Sequence, residues 1–187
     1  YEPPKDLEYA LIDFNEPLMI AGFFPPSAPS NIRSFLDDGD WGTSRAFDDI
    51  VLFRKGKSPG PRLCEPVTAP KIGHPMDVDL GDGIIFLGYD IIDDGTPDSR
   101  ILHLAYYWKK TAGRDRPSSL LIQFSGPAGN VRFQARHTFG YRIYLRDEWK
   151  EGQVMKEHHY ILIPSGLEKG DYNIGFGPFI FEETRAR

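Results

Sequence analysis

The stretch SRILHLAYYWKK, residues 99–110, decides the fold. Side chains on an extended strand alternate between two faces. Here Leu102, Leu104, Tyr106 and Trp108 share one face, while Ile101, His103, Ala105 and Tyr107 share the other. Its neighbours read the same way. GIIFLGYDII (83–92) is a strand with an expected bulge at Gly88. SLLIQFSG (119–126), the turn PAGN (127–130) and VRFQARH form a hairpin, with Val131, Phe133 and Ala135 inward and Arg132, Gln134 and Arg136 outward. GYRIYL (140–145), QVMKEHHYILIP (153–164) and GDYNIGFGPFIF (170–181) supply further strands. Turn signals fall about every ten residues, and no long helix is available to cross over between parallel strands. The expectation is a mainly β protein, an antiparallel β-sandwich of immunoglobulin-like or jelly-roll type.

The N-terminal part reads differently. Residues 1–7 look like a tail, and EYALIDF (8–14) like a buried strand. A proline-rich loop follows over 15–30. Ile32, Phe35 and Leu36 then fall at helical spacing, with Ser30 as N-cap and Gly39 as stop. DDIVLFRKG (48–56) is another strand. The expected division is a small α/β segment over 1–56, a linker over 57–76 with five prolines and two glycines, and the sandwich over 77–187.

Composition narrows the function. The chain has 187 residues, 22 Lys+Arg against 27 Asp+Glu, a net charge of −5 and one cysteine. A lone Cys64 makes neither an internal disulfide nor a multi-cysteine zinc site. An acidic balance without a basic block disfavours a nucleic-acid partner. The longest apolar run, GIIFLG (83–88), is far short of a bilayer span, so direct membrane insertion is not expected of it. No charged-then-apolar leader opens the sequence.

No motif commits the chain to a reaction. There is no nucleophile elbow and no phosphate loop, and Gly175-Phe176-Gly177 lacks a following helix. Catalytic residues and cofactors are therefore expected to be none. Asp77, Asp79 and Asp82, and Asp93, Asp94 and Asp98, offer oxygen ligands, but neither set has the spacing of a calcium loop. Such residues dominate ordinary turns, which is the reading preferred. Five histidines are present: His74, His103, His137, His158 and His159. The adjacent His158 and His159 must point to opposite faces of their strand and cannot bind a metal as a pair. His103 and His137 could meet across strands. The alternative to a binding module is a metal-dependent hydrolase in which His103 or His137 converges with the aspartates.

Aromatic side chains are the other hint. Trp41, Tyr107, Tyr141 and Trp149, with His103 and His137, are the candidate ligand-binding residues. Tyr107, Trp41 and Trp149 are the ones expected to be exposed, where rings stack on sugar faces; Tyr106 and Trp108 belong to the core.

Residues 81–181 resemble a sandwich module in the extracytoplasmic C-terminal parts of bacterial and archaeal polytopic membrane proteins, many of them glycosyltransferase-like. The resemblance is carried by IIFLGYDI, ILHLAYYWK, LLIQFSGPAGNV and EWKEGQVMKEHHYILIPSGLEKGDYNIGFG, where Trp149, Gly152, Pro164, Gly170, Tyr172 and Gly177 match W-x-x-G, a Pro and G-x-Y-x-x-x-x-G. EYALIDFNEP and DDIVLFRKG resemble the end of an α/β unit in the same proteins, with Asp48-Asp49 replacing the usual acidic-Gly turn. The resemblance implies an accessory domain outside the cytoplasm, joined to a membrane protein, that binds a glycan or packs on its parent. A protein–protein docking module is a further alternative. The family's catalytic acids fall outside the matched region, so none is carried over.

Overall fold

The computed structural model describes residues 9–13, 41–47, 50–56, 62–81, 83–92, 100–112, 119–142 and 149–179. Within these the chain is built from strands β1 (Tyr9–Asp13), β2 (Trp41–Phe47), β3 (Ile50–Lys55), β4 (Cys64–Val67), β5 (His74–Asp79), β6 (Ile84–Ile92), β7 (Ile101–Lys110), β8 (Ser119–Ser125), β9 (Val131–Thr138), β10 (Val154–Leu162) and β11 (Asn173–Phe179). All pairings are antiparallel. Three sheets result, in the orders β1-β3-β2, β4-β10-β7-β6-β5 and β11-β8-β9.

The five-stranded sheet and the sheet β11-β8-β9 face each other as the expected sandwich. Phe86 and Tyr106 of the larger sheet meet Phe176 of β11 at ring separations of 5.0 and 6.0 Å. Trp108 stands edge-on to Phe139 at 4.1 Å. Leu104, Trp108, Leu120 and Ile122 are fully buried in this layer, and each such side chain contributes about 2 kcal/mol by leaving water. Val51 and Phe53 of β3 join the same apolar cluster.

The bulge expected at Gly88 is present. The β6–β7 register shifts between Phe86 and Gly88. Ahead of the shift Phe86 lies opposite Trp108; beyond it Tyr89 lies opposite Tyr106. The extra residue exchanges the faces of the strand. Tyr89 thereby enters the sandwich and packs at a tilt against Phe176 at 4.8 Å, while Asp90 turns to the other face.

Four expectations are corrected. The segment 57–76 is not simply a linker, because it contains β4 and the start of β5, which form the two edges of the five-stranded sheet. Pro66 and Pro75 sit in these strands, and an edge is where a residue without an N–H is tolerated. GYRIYL does not begin as a strand: Phe139–Arg142 is a tight reverse turn with Gly140 (φ 57°) and Tyr141 (φ 49°) both left-handed. Val131, expected inward, is 48% exposed at the turn end of its hairpin, although Phe133 and Ala135 do pack against the core. In the N-terminal segment, Trp41–Phe47 is a strand where none was expected. Its pattern is broken by Gly42 and small polar residues, and its pairing to β3 supplies the order that local sequence does not. The expected helix around Ile32–Leu36 lies outside the described residues.

Candidate functional site

The expected site residues do not form a surface. β7 and β10 are two of the three inner strands of the five-stranded sheet, and both of their faces are covered. Strand β7 is buried from His103 through Trp108 without a break. Tyr107 is therefore 4% exposed, not the solvent-facing platform expected. Trp149 is 5% and Tyr141 1% exposed, and both belong to the hydrophobic cluster. A ring that fills a core cannot stack on a ligand. Trp41 lies on β2; its side chain falls outside the described set.

The histidines separate by face, as strand alternation requires. On the sandwich side of the large sheet, His137 of β9 lies against His159 of β10, with ring centroids 4.1 Å apart and the planes tilted by 31°. Tyr106 hydroxyl and His159 Nδ1 share a 3.1 Å hydrogen bond. His137 Nε2 is 3.1 Å from Glu157 Oε1, both side chains being fully buried. The indole N–H of Trp108 donates to Glu157 Oε2 at 2.8 Å. One buried carboxylate thus accepts from an indole and lies against an imidazole. Tyr141 stands edge-on to His137 and donates its hydroxyl to the backbone carbonyl of His158 at 2.6 Å. Those two contacts hold the left-handed conformation, which costs a non-glycine residue about 1–3 kcal/mol.

On the opposite face, His103 Nε2 and His158 Nδ1 lie 2.8 Å apart, and Tyr160 stacks on His103 at 4.0 Å. Burial, with Lys156 and His103 nearby, pushes the His158 ring down to about 3. His159 is held well below the ordinary imidazole range by burial first, then by His137 and His103. Near neutral pH both rings are uncharged.

His103 and His137 consequently lie on opposite sides of the large sheet and do not meet; the hydrolase alternative needs one of them beside the aspartates. Asp77 lies exposed on edge strand β5. Asp79 accepts the Gly81 N–H at 2.8 Å, the turn role expected of it. Asp82, Asp93, Asp94 and Asp98 lie outside the described residues. Among the described residues no three His, Cys, Asp or Glu side chains are grouped to hold a metal ion. Cys64 is buried in β4.

Tyr107 and Asp90 form a separate tie. The Tyr107 hydroxyl donates to Asp90 Oδ2 at 2.7 Å, and Asp90 Oδ1 accepts the Gly73 N–H at 2.5 Å. Burial and the neighbouring carboxylate push the phenol well above its usual range. This relay fastens the segment entering β5 to the inner strand, and His74 stacks on Tyr89 at 4.7 Å beside it. Tyr107→Phe is expected to cost about 1–2 kcal/mol in urea unfolding, with faster amide exchange confined to β5.

Strand alternation alone does not mark Glu157 as a structural centre. The available signal was a carboxylate placed in an otherwise apolar inner strand beside HHYIL.

No family model, curated protein or solved structure matches the chain.

Proposed function

We propose that the chain is a non-catalytic accessory module in the extracytoplasmic part of a glycosyltransferase-like membrane protein, and that it packs against its parent as a rigid body. One observation supports this reading above the others. The candidate histidines and aromatics whose side chains are described are buried inside the fold. Glycan stacking loses Tyr107, Tyr141 and Trp149 by the same fact.

Two measurements test it. The reading frame upstream of Tyr1 is expected to encode several membrane-spanning helices; a frame without them removes the membrane parent. Titration with an oligosaccharide panel is expected to give no saturable binding. Saturable binding abolished by Trp41→Ala would replace the packing role with glycan recognition.

A further inference from the structure

We propose that the adjacent histidines His158 and His159 form an acid-triggered latch, in which protonation of the two rings disrupts the packing on both faces of strand β10 in a single step. This goes beyond the accessory role and does not depend on it.

The geometry carries the argument. Alternation sends consecutive side chains of β10 to opposite faces. Both faces are closed: His158 is 3% and His159 0% exposed. Each ring already lies against another imidazole, His103 for one and His137 for the other. Among the described residues, Nε2 of each finds no hydrogen-bond partner. An added proton would place a charge in a dry site beside a second imidazole.

The groups around the rings offer little relief. His159 faces Tyr106 from β7, His137 from β9, Tyr141 from the reverse turn and, on its own strand, Glu157. Cys64 of β4 pairs with Glu157. Glu157 is the one carboxylate among these, and it is engaged by His137 and Trp108. His158 faces His103 from β7 and, two residues along β10, the cation of Lys156. Lys156 pairs in register with Glu65 of β4 and with Tyr107 of β7. On β6, Asp90 is bound to Tyr107.

One strand carries both rings, so a displacement of β10 that lets one reach water releases the other. Folded-state values below the unfolded value mean that the unfolded chain binds more protons in acid. Stability from these two groups is complete above about pH 6.5 and is lost as the pH falls below it. Each ring contributes about a tenfold change in the unfolding equilibrium between pH 7.5 and 5.5, and the pair about a hundredfold.

The test is urea unfolding followed by tryptophan fluorescence at pH 7.5 and 5.5, on wild type, His158→Gln, His159→Gln and the double variant. Relative to wild type, the expected pH effect falls about tenfold in each single variant and about a hundredfold in the double variant. A wild-type effect under about threefold, or a double variant that keeps the full effect, overturns the latch. Should the variants fail to fold, NMR titration of the wild-type imidazole protons decides. Rings that stay neutral until the chain opens support the latch; either ring titrating near its ordinary value in the folded protein overturns it.

Discussion

Gly88→Ala is expected to lower stability by about 4 kcal/mol and to strip β5 from the sheet. A Cβ built at Gly88 falls 2.2 Å from the backbone oxygen of His74 and 3.0 Å from both the Met76 nitrogen and Ile72 Cγ2. Two of these three atoms are backbone, so no side-chain rotation clears the space. The residue also has a φ of +133°, which an L side chain rarely adopts. Clash and strain therefore add. Gly129 and Gly152 provide the control, since both have a φ of +78° with nothing within 4 Å of the added carbon. Alanine there is expected to cost about 1 kcal/mol from conformation alone. Urea unfolding of the three variants separates the contributions. Equal losses at all three positions would show that the bulge relaxes around the methyl group. The loss should carry Asp90 with it, because the bulge is what turns that carboxylate toward Tyr107.

Glu157→Ala is expected to cost about 3–4 kcal/mol, because a buried donor loses its acceptor and a cavity opens where the side chain was. The carboxylate is fully buried and accepts from Trp108 Nε1 at one oxygen while facing His137 at the other. Alanine leaves the indole N–H without its acceptor in a dry interior. Glu157→Gln keeps an oxygen for Trp108 in the same volume and is expected to cost about 1–2 kcal/mol. A ratio near one between the two variants in urea unfolding would mean that shape, not hydrogen bonding, is what Glu157 supplies. Trp108 fluorescence gives a second readout, because its indole loses the neighbouring carboxylate in both cases.

The sandwich was legible because alternation is local. The runs at 99–110 and 119–126 state their faces without reference to any other part of the chain, and the bulge at Gly88 announces itself through a glycine within an apolar strand. The edges were not legible in that way. β4 and β5 take their order from β10 and β6, and their prolines read as loop signals when the partner strand is unknown. The same holds for β2 against β3.

The site candidates failed for a related reason. Alternation places Tyr107 toward solvent because it faces away from Leu102 and Leu104. That inference holds for a strand with one covered face, and β7 has two. Inner strands covered on both sides show nearly continuous burial, and Ile101 and Ala105 on the Tyr107 face were a trace of it. Alternation did show that His158 and His159 part company. That each would meet another histidine needed the β7–β10 register and the packing of β9, which no single-strand pattern contains.

The two prolines at the margins of the large sheet have a consequence for solubility and assembly. An open sheet edge is a template on which another chain can add a strand, and such growth leads to aggregates. Here one margin is a four-residue strand holding Pro66. The other holds Pro75, an irregular register between Pro75 and Val78, and the charges of Asp77 and Asp79. Short length, a missing donor, a local kink and like charge each interrupt the row of hydrogen-bonding groups that a newcomer would need. Both edges of the large sheet are thereby poor templates for an added strand.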